Sequence, residues 1–571
     1  MNPSIRPEMT QSQSKVSSHS THVQPQVSFT TRFEFFLPTH ASHTKLCAGL
    51  KLIIVHNHFR PGGVRRVIEL ATPHITAKLQ PLLAEVVLAC GEEPDAMWLE
   101  QFRARVMPVP VACKVEPALR YLSEQRCQPG TVARRIEAFF GRLFAGANAG
   151  NCVVWAHNQG LGRNPILSRA LARLAGADRI RLILHHHDWW FDGRWQRWDR
   201  MRSAGFSTLR QIAEAILPAG PNVRHITINR ADATVLSRHY PNQATWLPNP
   251  VQPWPAQSEA VVRAARRWLD TQLGQRAPVW LMLCRLLRRK NIAEALLLTR
   301  LLRPDAWLVT TGPVSSRDEV AYATRLKTAA QQYGWRLRLG VLGGENEQTK
   351  PAIEALLAAS EAVLLTSLQE GFGLPYLEAA AAGRPLIARA IPNVVPDLVM
   401  FGFRLPHMYD ELLVDPALFD WRAEVERQRV LFHAWLAQLP QPWRKFGATP
   451  AALASGSSPQ PIPFSRLTLT AQLDVLAKPV HDLWRLCVAL NPFLARWRNL
   501  AEAGNLRATQ WPPQADAWLS GAVFARKFAT IIKSNPVRHR QRSTPQDAQA
   551  ELARMKLASE NLYLLAWSTR T

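Results

Sequence analysis

The chain has 571 residues, 47% of them hydrophobic, and a formal net charge of +26. That length accommodates two or three domains, and that apolar fraction excludes wholesale disorder. The charge suits anionic ligands and surfaces, and no run of about 18 apolar residues is present to suggest a transmembrane helix.

Residues 1–47 are rich in Ser, Thr, Gln and His and are expected to be a disordered leader without the apolar core of a secretory signal. A first α/β domain is expected over 48–250. Lys51-Leu-Ile-Ile-Val-His-Asn57 reads as a strand. The loop Pro61-Gly62-Gly63-Val64 follows, then a helical pattern over Val67–Ala71. Strand, diglycine loop and helix make a Rossmann-type opening, without the full dinucleotide fingerprint. Two further strand patterns, Cys152–Asn158 and Arg181–Asp188, end in polar residues. In a doubly wound sheet such strand ends face the ligand crevice. His185, His186 and His187 are consecutive, so at most two of them can converge on a metal. No Cys/His pair at zinc-like spacing accompanies them, and no metal is expected. The aromatic run that begins at Trp189 and Trp190 suits either a sugar platform or ordinary core. His157, Asn158, Trp189 and Trp190 are the candidate acceptor residues. Trp246–Pro255, with four prolines, reads as an interdomain linker.

A second α/β domain is expected over 251–415. Strand patterns at Val279–Cys284, Ala306–Thr311 and Ala362–Thr366 alternate with helical stretches at Asn291–Leu302 and Ala352–Ala359. Such alternation predicts a parallel doubly wound sheet. After its first strand come Arg285 and Lys290, cations suited to a phosphate-bearing leaving group. Arg288 and Arg289, between them, read equally well as a basic surface turn. After the strand Ala362–Thr366 comes Glu370-Gly-Phe-Gly-Leu-Pro-Tyr-Leu-Glu378. Gly371 and Gly373 permit a sharp bend and a close approach to ligand. Pro375 suits a first helical turn, and the free N–H groups of that turn favour phosphate. A helical pattern over 377–382 ends at Gly383. Two carboxylates then flank a phosphate-ready bend, each able to accept hydrogen bonds from sugar hydroxyls.

This string, with Gly383-x-Pro385 after it, resembles the hallmark of retaining GT-B glycosyltransferases of family 4, also called glycosyl transferases group 1. Arg285…Lys290-Asn291 is similar to that family's Gly-Arg-Leu…Lys-Asn motif, with Cys284 where glycine is usual. The resemblance spans about 370 residues and implies two Rossmann-like domains around a cleft. It implies transfer of a sugar from a nucleotide-diphosphate sugar, a hexosyltransferase reaction, with no metal and no other cofactor. It assigns the ribose to Glu378, and the diphosphate to the amides of Gly371, Phe372, Gly373 and Leu374 with Arg285 and Lys290. It assigns the donor sugar to Glu370 and His187, and a facing donor loop to Gly62 and Gly63. Of the family's Pro-Asn-Gly hinge, Pro248-Asn249 is present, but Pro250 replaces the glycine.

Residues 416–571 exceed what the family needs. Ala448–Pro463 reads as a loop, and Phe464–Leu476 and Ala548–Trp567 as helices returning towards the first domain. Seven cysteines without a Cys-x-x-Cys pair point to a reducing, cytoplasmic setting, and the arginine content also suits a high-GC bacterial genome. The charge, including Lys533, Arg538, Arg540 and Arg542, permits peripheral association with an anionic inner-membrane surface, and no nucleic-acid motif accompanies it. The acceptor, whether saccharide, lipid-linked or small molecule, is not encoded in any motif. Two other readings are a catalytically silent sugar-nucleotide-binding scaffold of the same fold and a basic membrane-surface-binding protein.

Overall fold

The computed structural model describes residues 49–314, 316–344, 350–454, 458–535 and 544–567. The expected leader and the basic residues Arg538, Arg540 and Arg542 lie outside the described residues.

Two parallel sheets organise the chain. The first comprises β1 (Leu50–Val55), β2 (Leu83–Cys90), β3 (Val111–Val115), β4 (Cys152–His157), β5 (Arg181–His186), β6 (Val223–Thr227) and β7 (Ala244–Trp246), in the order β3-β2-β1-β4-β5-β6-β7. The second comprises β8 (Val279–Met282), β9 (Trp307–Thr310), β10 (Leu337–Arg338), β11 (Ala362–Leu365), β12 (Leu386–Arg389) and β13 (His407–Tyr409), in the order β10-β9-β8-β11-β12-β13. Central strands such as β4, β5, β8 and β11 are buried along their whole length. This is why they read as continuous apolar runs rather than alternating ones: both faces of a parallel sheet are covered by helices. The architecture is the GT-B arrangement of two Rossmann-like sheets with a helical C-terminal extension.

Several boundaries differ from the sequence pattern. The helix after the diglycine loop runs over Gly63–Leu79, with Pro73 inside it. The helix after the glycine-rich bend begins earlier than expected, at Leu374, because Gly373 caps it in the left-handed region and Pro375 fills its first turn. The expected loop at 448–463 contains a strand, Ile462–Pro463, paired antiparallel with Leu413–Val414. The expected helix 548–567 is broken into Pro545–Lys556, a 3-10 turn Ser559–Asn561 and Leu564–Trp567. There Asn561 Nδ2 donates to Met555 O at 2.9 Å and satisfies a carbonyl that the helix leaves free at its end.

The extension packs on both sheets' helices. Gly521–Lys533 lies along Gly63–Leu79, and Pro545–Lys556 lies on Leu209–Ile216 and Arg230–His239. Leu469–Leu476, Val480–Val488 and Phe493–Glu502 lie on Ile292–Leu302. Phe432, Trp435 and Trp443, from the segment after β13, join the core that also holds Trp190 and Trp195.

Candidate active site

Strand order reverses between β1 and β4 in the first sheet, and between β8 and β11 in the second. Loops diverge at such a switch point and leave a crevice at the carboxyl ends of the strands. His56–His58 follow β1, and His157 ends β4 with Asn158 just after it. Cys284–Arg285 and Thr366–Glu370 follow the second pair.

On the second domain a 3-10 turn, Arg288–Lys290, orients three cations differently. Arg288 turns away to Glu319, with Nε at 3.2 Å from its carboxylate. Lys290 is buried and ion-paired to Glu370. Arg289 donates from Nη1 to Gln369 O at 3.0 Å and lies 3.7 Å from Glu370 Oε2. Leu368 N donates to Arg289 O at 2.8 Å, and Thr366 Oγ1 donates to Lys290 O at 3.1 Å, so the two loops are stitched together. Burial raises the Glu370 carboxyl pKa, but Lys290 and Arg289 outweigh it and keep the group below the ordinary range. The site therefore holds a carboxylate with two cations beneath the glycine-rich bend.

Arg285 differs from Lys290. It is exposed and forms no ion pair or side-chain hydrogen bond among the described residues. Burial of its head, then Arg289, lowers its pKa, while Tyr121 and Asp188 of the first domain act in the opposite direction. Arg285 is thus a free cation facing the other domain.

The bend itself touches the first domain. A Cβ on Gly371 would sit 2.6 Å from His187 O, so only glycine fits there. Gly371 O accepts from Asn229 Nδ2 at 3.3 Å. Gly373 has φ 79°, and a Cβ would also sit 2.6 Å from Val394. Phe372 is packed into the second domain's core, while Leu374 reaches back towards Gly63. Gly62 and Gly63 are exposed opposite it. Glu378 stands one turn into the helix, and burial pushes its carboxyl up to about 7 against the pull of Lys290 and Arg66.

On the first domain, His187 lies beside the bend through its backbone, and its ring Nε2 is 3.1 Å from His157 Nδ1. Burial lowers its pKa to about 4. His157, His185 and His187 place ring nitrogens within 4.8 Å of one another. His186 turns to the other face, stacks on Trp189 and bonds His225 at 3.1 Å. The strand alternation thus brings two of the consecutive histidines together, and the neighbouring strand supplies the third ring. Trp155 Nε1 can only donate, and it donates to His185 Nδ1 at 3.3 Å, which leaves the proton of that neutral ring on Nε2. His157 Nε2 and His185 Nε2 are buried without a hydrogen-bond partner among the described residues.

The acceptor candidates need correction. Trp189 and Trp190 are 1% and 0% exposed, so neither offers a face to a sugar. Trp189 Nε1 donates to Asp232 at 2.8 Å and Trp190 stacks on Trp443 at 5.3 Å. The extension's Lys556 completes this lock, 3.6 Å from Asp232. His157 is wholly buried and acts behind His187. Asn158, at φ 58°, accepts from Asp188 N at 3.0 Å and shapes the strand end. Sequence reasoning also missed residues. Arg289 reaches the site because the 3-10 turn swings it inward. Asn393, whose Nδ2 donates to Glu370 O at 2.9 Å, carried no signal in the sequence.

Residues 270–406 match the family described as Glycosyl transferases group 1. The chain is 25% identical over 275 residues to the mannosylglucosyl-3-phosphoglycerate synthase of Petrotoga mobilis, covering 46% of this chain and 50% of that one. It is 28% identical over 244 residues to the mannosylglucosylglycerate synthase of Thermotoga maritima, covering 40% and 54%. The chain thus spans about half the length of the curated relatives it matches. Among solved structures, Anabaena HepE in complex with UDP and glucose aligns with TM-score 0.43 and 16% identity, over 61% of this chain and 83% of that one.

Proposed function

We propose that the chain is a retaining, metal-independent glycosyltransferase of family 4 that moves a sugar from a nucleotide-diphosphate sugar to an acceptor hydroxyl. The observation that carries this reading is the cluster of Lys290, Arg289 and Glu370 beneath the Gly371–Gly373 bend, with unpaired Arg285 beside it.

The chemistry follows from that placement. Bond cleavage leaves negative charge on a nucleoside diphosphate, and fixed cations lower the barrier where that charge grows. Arg285 is free to grip the diphosphate, while the N–H groups at the start of the helix Leu374–Ala381 face it. Glu370, held by Lys290, anchors donor-sugar hydroxyls instead of attacking carbon. The acceptor then enters on the same face as the departing diphosphate, and configuration is retained. Glu378 accepts from the ribose hydroxyls. Gly371 packs against His187 O, and closure of the two walls there limits hydrolysis of the donor. The two relatives are named as synthases of small glycosides, which favours a small acceptor over a polymer. The net charge of +26 supports peripheral association with an anionic membrane surface.

A calorimetric panel of UDP-, GDP- and ADP-sugars tests the donor half. The wild type binds at least one of them, and Glu378→Ala weakens that binding by at least about tenfold, the loss of a bidentate carboxylate contact. Failure to bind any of the panel refutes the reading.

A further inference from the structure

The carboxyl edge of the first sheet carries a second basic feature that donor binding does not use. A cavity of about 450 Å³ opens between the loop after β3, the turn after β4 and the helix Arg197–Ser203 after β5. Arg163, Arg197 and Arg200 line it, together with one carboxylate, Asp199, and the neutral polar groups Ser123 and Gln128.

Among the described residues these guanidinium groups have no carboxylate at ion-pair distance, and Asp188 attracts Arg197 only from further off. Arg197 is 6% exposed, and its one hydrogen bond goes to a carbonyl, Leu161 O, at 2.7 Å. Arg163 lies over the Tyr121 ring at 4.9 Å, and its Nε is buried with no partner. None of the three forms an ion pair among the described residues. Asp199, the carboxylate in the lining, is paired with Arg202 at 2.6 Å, and the nearby Asp188 and Glu124 pair with Arg194 at 3.3 Å and Arg60 at 3.0 Å. Burial, then mutual repulsion with neighbouring arginines, holds Arg163 and Arg197 below their ordinary pKa. A buried guanidinium is costly without an anion, and two or three that converge suit a group with several acceptor oxygens. Arg163 links the lining to the cleft through Tyr121. The Tyr121 hydroxyl is 3.0 Å from His58 Nε2, and the charge of Arg285 reaches His58.

We propose that this cavity is an anion subsite that holds the phosphate or carboxylate group of the acceptor, so that the substrate class is an anionic small molecule. The word acceptor rests on the transferase reading; anion binding by Arg163, Arg197 and Arg200 does not. The donor diphosphate is served by another domain, so the two anions occupy separate places.

Titration of the full chain with inorganic phosphate at low ionic strength, with and without a saturating nucleotide sugar from the panel, tests the subsite. Phosphate binds in both conditions. Arg163→Gln and Arg200→Gln each weaken it by at least about fivefold, the loss of one charge-assisted contact, and leave nucleotide affinity unchanged. Arg200 is exposed, so its variant keeps the fold. Absence of phosphate binding, unchanged affinity in both variants, or displacement of phosphate by the nucleotide overturns the proposal. If no nucleotide binds while phosphate binding still responds to both variants, the transferase reading fails and the anion subsite stands. In transfer assays glucose 6-phosphate outperforms glucose, and Arg163→Gln loses that preference; equal transfer to both removes the acceptor assignment.

Discussion

Glu378 sits one turn into its helix, partly buried, and desolvation pushes its carboxyl from 4.5 up to about 7. A raised carboxyl favours the folded state fully below the unfolded value, and that contribution is lost as pH rises through about 7. Ligand linkage runs the other way. A ribose whose hydroxyls donate to Glu378 prefers the carboxylate, so nucleotide affinity rises about tenfold between about pH 6 and about pH 8. Calorimetry at several pH values measures this. Glu378→Gln flattens the dependence, and a wild type already flat over that range removes Glu378 from the ribose site. At this scale the sequence was partly legible. Glu370 and Glu378 stand in one string, and Lys290 in another, whose residue types name their chemistry. Arg289 does not, because only the 3-10 turn separates its direction from that of Arg288, which goes to Glu319. Trp189 and Trp190 misled for a related reason. An aromatic run looks alike in a sugar platform and in a core, and the residues that bury it, Trp443, Gln549 and Lys556, lie hundreds of positions away.

The elements that carry the site are the strand ends and the bend that crosses between the domains. Strand patterns were legible because β4, β5, β8 and β11 are uninterrupted apolar runs, the mark of strands covered on both faces. The bend is held by contact as well as by φ. Gly371 lies against His187 O with no room for a methyl group. Gly371→Ala therefore costs about 1–3 kcal/mol of folding stability by overpacking, read from the urea midpoint, and weakens donor binding in the same variant. If stability and donor binding are both unchanged, the bend does not close on His187. Helix starts were less legible than strands. Gly373 begins Leu374–Ala381 through a left-handed cap, whereas the apolar pattern alone begins at Leu377.

At the scale of the whole molecule, two domains and an extension form one support for the cleft. The extension after β13 was the least legible part, because its partners are distant in sequence. Gln472 Nε2 donates to Asn291 Oδ1 at 3.2 Å, and Asn291 in turn binds Glu294, which is ion-paired to Arg389. Lys290 thus stands beside a residue that the extension fixes. Helix Gly521–Lys533 along Gly63–Leu79 and helix Pro545–Lys556 behind the Trp189–Trp190 segment brace the facing wall. Among the described residues no helix is long and apolar enough to cross a membrane. The measurement that bears most directly on transfer is release of nucleoside diphosphate from the nucleotide sugar that binds, followed with time for wild type and Arg285→Ala. The expected result is steady release by the wild type and a rate at least about tenfold lower in the variant, from loss of one charge-assisted contact to the leaving group. Binding without release, or equal rates in both proteins, would contradict a transferase that works through Arg285.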